Sequence, residues 1–221
     1  IHSGPAYMVG VVGANIFGSA GVGLLLFLCQ LAAGLLTARI FAIGRAVPPR
    51  KAVPLAGKKP EPTAALLVRS AGTAAGTAVN ICAFVVLLSA FAEVFAACGI
   101  FPLLGRGLAL LSGGKISGET ADCLLTGLLE ICAGSAKAAA LPPSEAAKIL
   151  PFLLSFGGLS VCCQVAACFG EDALPWGKLL MGRLLHGTLT ALLAAPWLKR
   201  ATVQAVTGAA IPAFSAGRML W

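Results

Sequence analysis

From Ala20 to Ile43 the chain is apolar apart from Gln30, Thr37 and Arg39, over a length that meets the roughly 20 residues needed to cross the hydrocarbon core of a bilayer. No other feature limits the fold as strongly. The rest of the chain has the same character: 58% of its residues are hydrophobic and only 11% charged, against about 25% charged in a soluble domain. A soluble fold of 221 residues cannot hide that much apolar surface. The expected class is therefore an all-α, polytopic membrane protein, with the lipid bilayer as its first partner.

The net charge of +8 does not mark a nucleic-acid binder. The densest basic run, Arg45, Arg50, Lys51, Lys58 and Lys59, lies in a proline-rich loop between apolar segments, with no interleaved aromatic residues. The positive-inside bias reads it as a cytoplasmic loop. Eight cysteines are present, without a CxxC pair and with only two histidines, so no metal or cofactor is expected. They read as small buried hydrophobes. Ile1 is not a start methionine, and the first residues have no signal-peptide n-region. Upstream sequence is expected to be missing.

Residues 6–17 are apolar but too short to span alone, and Gly18-Ser19 separates them from the first full span. After the basic loop, residues 64–97 read as one long helix, with Thr63 or Ser70 as cap and Arg69 snorkelling to the interface. Leu103 to Leu111 and Glu119 to Ile131 are each too short to cross, and the turn-rich S-G-G-K-I-S-G lies between them. They are expected to form a re-entrant hairpin. Pro142-Pro143-Ser144-Glu145 reads as a helix start capped by Ser144. That helix meets Gly157-Gly158 and continues to about Phe169, and a last span runs from Trp176 to Trp197.

Residues 3–37 and 156–193 share a layout: a glycine-broken segment, a glycine-marked joint and a span. Gln30 matches His186, and Leu36 matches Leu192. Such paired breaks are the best sequence pointer to a transporter's binding site.

The runs SGPAYMVGVVGANIFGSAGVGLLLF, LVRSAGTAAGTAVNICAFVVLLSAF, LLTGLLEICAGSAKAAAL and LSFGGLSVCCQVA resemble the YlbJ-type sporulation integral membrane proteins. These carry a nucleoside-recognition, or gate, domain similar to concentrative nucleoside transporters. The resemblance covers most of residues 3–198. It implies an inverted repeat with broken helices and a re-entrant hairpin. It also implies residence in the outer forespore membrane of a spore-forming bacterium, and a part in moving dipicolinic acid during spore formation. The family's N-terminal half has no counterpart in this sequence.

Five stretches follow from this reading. Residues 1–44 are the end of a first repeat, 45–63 the basic loop, and 64–98 a connecting span. Residues 99–198 are the second repeat and 199–221 an interfacial tail. With the basic loop inside, the hairpin returns to its own side and the repeats are inverted, although Lys199 and Arg200 then fall outside, against the charge bias.

The gate architecture places the tip of the hairpin, near Glu130 to Lys137, against the break at Gly157 to Gln164. Candidate substrate-binding residues are Glu130, Gly134, Ser135, Gly157, Gly158, Ser160 and Gln164, with Gly4 and Pro5 as the matching break in the first repeat. Glu130 is a carboxylate in an apolar run, which faces a cavity or else caps a neighbouring helix. Ser160 and Gln164 share a helix face, to line a pathway or to join helices. Freed N–H groups at half-helix ends suit an anion. Lys137 and Arg183 could add charge or snorkel, and snorkelling is favoured for Lys137. His186 could couple protons, but packing is favoured for a lone histidine.

With no nucleophile–base pair, paired carboxylates or phosphate loop, an enzyme has little support. The expected function is transport of a small anionic substrate, dipicolinic acid by resemblance. A non-transporting scaffold in spore assembly, and a nucleoside or ion transporter of the wider gate group, stand as alternatives. A homo-oligomer or spore membrane partners are left open, and no nucleic acid is expected.

Overall fold

The computed structural model describes residues 3–43, 62–169 and 175–207, with side chains placed up to Ala167 and Lys199 at the ends of the last two stretches. Among the described residues there is no strand. The protein is an all-α membrane protein with four helical stretches long and apolar enough to cross a bilayer: Ala20–Ala42, Thr63–Ala97, Pro143–Ala167 and Trp176–Lys199. The basic loop, the Glu171-Asp172 loop and the end of the tail lie outside the described residues.

The chain enters through a π-helical segment, Tyr7–Ile16, which closes with the Phe17 N–H donating five residues back to the Val12 carbonyl at 3.1 Å. It turns at Gly18 and continues as α1, Ala20–Ala42. The sequence pattern marks this apolar segment but not its wide turn, since almost every residue in it is apolar or small and no periodic face stands out. The segment packs along α1.

Helix α2, Thr63–Ala97, is 35 residues long, or about 52 Å at 1.5 Å per residue, well beyond the ~30 Å hydrocarbon core. Neither Thr63 nor Ser70 caps it: Pro62 occupies the cap position, where its fixed φ of −52° leads into the helix. Only its C-terminal part, including Leu88 and Ala92, is buried, against α7, α3 and α4.

The hairpin differs from the expected one. Helix α3, Ile100–Leu111, is a separate short helix. The chain reverses between α4, Gly118–Leu129, and α5, Ile131–Ala138, with Glu130 at the turn. The residues about Ser112 to Ser117 join α3 to α4 instead. The correction has a local cause. Glu130 is extended, at φ −142° and ψ 120°, and its carboxylate caps α5, which ends one helix and starts the next without a loop. α4 and α5 cross closely because Gly127 faces Gly134: a Cβ on Gly134 would run into the Gly127 backbone.

Helix α6, Pro143–Phe156, and α7, Gly158–Phe169, form one broken span. Ser144 lies inside α6 and makes no cap bond; Pro142 holds that position, and Pro143 starts the helix as its first residue. Helix α8, Trp176–Thr207, completes the bundle and runs past the expected Trp197 end. The α6–α7 span is the central element, with 67% of its apolar window buried against 11% for α2. Met8, Leu26, Leu150, Leu153, Leu154 and Ala194 pack the core between the π-segment, α1, α6 and α8. In lipid such contacts stabilise by close packing and hydrogen bonds rather than by removal from water.

The cysteines divide. Cys29, Cys123 and Cys162 are buried as expected, whereas Cys82 and Cys98 are exposed on α2 and Cys132 is exposed where it lines a cavity.

Candidate functional site

The break in the central span starts from two glycines. Gly157 has φ +83° and Gly158 φ +73°, a left-handed conformation that costs an L-residue about 1–2 kcal/mol and glycine almost nothing. The Gly157 N–H still closes α6 on the Leu153 carbonyl at 2.7 Å. The next carbonyl, Leu154 O, takes side chains from the start of the chain: Ser3 Oγ donates to it at 3.0 Å and Gln30 Nε2 at 3.3 Å. A buried carbonyl needs a partner, and residues far away in sequence supply it.

On the other side of the break, α7 begins against the end of α4. A Cβ on Gly158 would lie 3.0 Å from Gly127 O and 3.1 Å from Leu129 O. The hairpin tip and the broken helix therefore meet backbone to backbone.

Glu130 sits at that meeting point, fully buried. Its Oε2 accepts the Ala133 N–H at 2.7 Å, and Ser160 Oγ lies 3.5 Å from Oε1. The carboxylate thus occupies the N-terminus of α5, where the helix dipole and free N–H groups favour negative charge. This corrects the expectation for Gly134 and Ser135. They lie inside α5, one at the crossing with Gly127 and one buried, and offer no free helix end to a ligand. Ser135 Oγ has no hydrogen bond of good geometry, although the Tyr7 phenol lies beside it.

Next to this junction is a cavity of about 210 Å³. Ser3, Gly4 and Tyr7 form one wall, Ile131 and Cys132 a second, Leu154, Gly157, Val161 and Gln164 a third, and Arg183 the last. It is smaller than the ~300–1,000 Å³ of drug-sized pockets, so it suits a small ligand. Its polar groups are the Tyr7 phenol, the Gln164 amide and the Arg183 guanidinium, with the Ser3 hydroxyl, whose proton goes to Leu154 O, as an acceptor. Burial raises the Tyr7 phenol above its usual range, so it stays a neutral donor near pH 7. Burial and the Glu130 carboxylate push the Cys132 thiol up to about 11.

Of the expected residues, Gly4, Gly157, Gln164 and Arg183 meet at this cavity. Gly158, Ser160 and Glu130 lie in the junction behind it. Pro5 is exposed and starts the first helical turn, outside the cavity lining. Lys137 belongs elsewhere. It pairs with Asp122 at 2.9 Å across the far end of the hairpin, seven residues or about 10 Å from Glu130. There it borders a larger, open groove of about 810 Å³ with Arg106 and Glu119, away from the break.

His186 is buried outside the cavity, its Nε2 at 3.0 Å from the Gln30 carbonyl, which fixes the proton on Nε2. The residue matched to it in the sequence layout is the one it touches. Leu36 and Leu192, the other matched pair, are both exposed on the bundle surface. The two layouts differ in packing, however: the π-segment lies along α1, while α8 packs on α6 and α1.

Sequence reasoning missed the lining residues Ser3, Tyr7 and Cys132, along with the apolar Ile131, Leu154 and Val161. Tyr7 carried a signal, as the one tyrosine of the chain in an otherwise apolar run. Ser3 and Cys132 carried none. Compared with protein-family models, curated proteins and solved structures, the chain finds no match.

Proposed function

We propose that the protein is a membrane transport protein whose cavity takes a small carboxylate. The observation that carries this reading is Arg183, a mostly buried guanidinium facing a small cavity at a helix break inside the membrane span. A planar guanidinium matches a carboxylate with two parallel hydrogen bonds. Gln164 and Tyr7 add neutral donors around it, and Ile131, Val161 and Leu154 offer apolar walls to a flat ring. A broken helix at mid-span is the usual place for a transporter's substrate.

Dipicolinic acid, an aromatic ring with two carboxylates, fits this chemistry. The resemblance to YlbJ-type proteins makes it the leading substrate, with the outer forespore membrane as the proposed location and spore formation as the setting. Nucleosides, suggested by the wider gate group, would use the hydroxyl and amide groups of the lining.

One observation favours a second reading, a non-transporting scaffold in spore assembly. Every residue of α2 from Thr63 to Ala83 is exposed, a length of helix that another membrane protein could pack against.

Proteoliposome flux separates these readings. Transport predicts uptake of labelled dipicolinate, competed by unlabelled dipicolinate and not by nucleosides. Competition by nucleosides alone would favour the gate-group substrate, and no flux of either would favour the scaffold.

A further inference from the structure

The open groove between α3, the start of α4 and the end of α5 carries both signs of charge beside an apolar wall. Two cations, Arg106 and Lys137, and two carboxylates, Glu119 and Asp122, line it. Lys137 and Asp122 satisfy each other at 2.9 Å. Arg106 and Glu119 are exposed, and among the described residues neither has an ion-pair or hydrogen-bond partner. The groove thus offers one guanidinium and one carboxylate to a ligand.

The hairpin sets the depth of these groups. Its tip, Glu130, meets the break in the central span. Glu119 lies eleven residues before it along α4, about 16 Å at 1.5 Å per residue, or half of a ~30 Å hydrocarbon core. Glu119 therefore stands at the edge of the core, and the Asp122–Lys137 pair about one turn deeper. Arg106 follows Gly105, which packs on Ala121, and so belongs to that deeper level. Because residues 112–117 join α3 to α4, the start of α3 lies toward the tip. Phe101 and Pro102 wall this deep end, next to the exposed Leu103 and Leu104.

From the membrane surface inward, the groove presents a carboxylate, a guanidinium and an apolar wall. A phospholipid with a primary amine presents the complement in the same order: ammonium, phosphate, acyl chains. A guanidinium takes a phosphate through parallel hydrogen bonds, and an ammonium donates to a carboxylate. An anionic headgroup would leave Glu119 unpaired beside a like charge. Choline has no N–H to donate and is held by aromatic cages, whereas Phe101, itself buried, is the one aromatic among the described lining residues. We propose that this groove seats the headgroup of phosphatidylethanolamine, with its phosphate on Arg106 and its ammonium on Glu119. The bound lipid ties α3 to the base of the hairpin, whatever the cavity at the break takes.

The test is native mass spectrometry of the full chain in detergent, titrated with phosphatidylethanolamine, phosphatidylcholine or phosphatidylglycerol of identical acyl chains. The wild type should bind phosphatidylethanolamine about three- to fivefold more tightly than either other lipid, the scale of a part-exposed ion pair. Arg106→Gln should weaken all three lipids by a similar factor. Glu119→Gln should weaken phosphatidylethanolamine and strengthen phosphatidylglycerol, a reversal that a purely structural role would not produce. Lys115→Gln, exposed and outside the lining, should match the wild type. Equal affinity for the three lipids, a wild-type preference for phosphatidylglycerol, or an unchanged preference in Glu119→Gln overturns the proposal.

Discussion

His186 Nε2 lies 3.0 Å from the carbonyl oxygen of Gln30, and the Gln30 amide donates in turn to Leu154 O at 3.3 Å. Three helices, α8, α1 and α6, are thus joined through one glutamine whose backbone and side chain face different partners. The end of the chain that bears Arg183 is fixed to the start that bears Ser3 and Tyr7.

Gln30→Leu should therefore lower stability by about 0.5–2 kcal/mol, the range of interhelical side-chain bonds in membranes. It leaves Leu154 O with Ser3 alone, and the Ser3→Ala, Gln30→Leu double variant should lose more than either single change. Thermal unfolding in detergent measures both effects, and equal transition temperatures for all forms would show that the carbonyl does not need these partners.

Gly158→Ala should destabilise by about 2–4 kcal/mol. The left-handed backbone accounts for about 1–2 of these, and the approach to Gly127 O for the remainder, at the scale of overpacking. Gly134→Ala should fail similarly at the hairpin crossing. Gly4→Ala meets nothing within 4 Å and should unfold like the wild type. The same melting series checks all three.

Cys132 should react slowly with maleimide at pH 7 to 8. With its thiol pushed from 9.0 up to about 11, the thiolate fraction in that range is about a hundredfold below that of an unshifted thiol. The rate should climb with pH until it levels near 11. Labelling a variant with Cys82, Cys98, Cys163 and Cys168 replaced by serine reads this profile. A dicarboxylate in the cavity should slow labelling further.

Lys137→Ala should leave ligand binding unchanged and cost no more than about 1 kcal/mol, since both partners of its ion pair are partly exposed. A loss of binding would move the site toward the outer groove.

Much of the architecture was legible because hydrocarbon leaves few choices. An apolar run such as 20–43 can only be a span, and a glycine pair in the next-to-last span can only be a break or a close contact. The resemblance put the hairpin tip near Glu130, where the chain does reverse, but the arms were misread because Ser112 to Ser117 carries every local turn signal, while the reversal at Glu130 is made by a side chain capping the next helix. Lys137 was misassigned for the same reason: which end of α5 faces the break depends on where α4 turns. Ser3 joined the site through a carbonyl freed in α6, a relationship that no local pattern near Ser3 records.

The central claim is that Arg183 receives a carboxylate at the break, and equilibrium binding of dipicolinate to the purified full chain tests it most directly. The wild type should bind saturably. Arg183→Gln should bind at least about tenfold more weakly, as expected when a charged partner is lost, and Arg183→Lys should recover part of the loss. Equal dipicolinate affinity in wild type and Arg183→Gln, or no saturable binding by the wild type, would contradict the account.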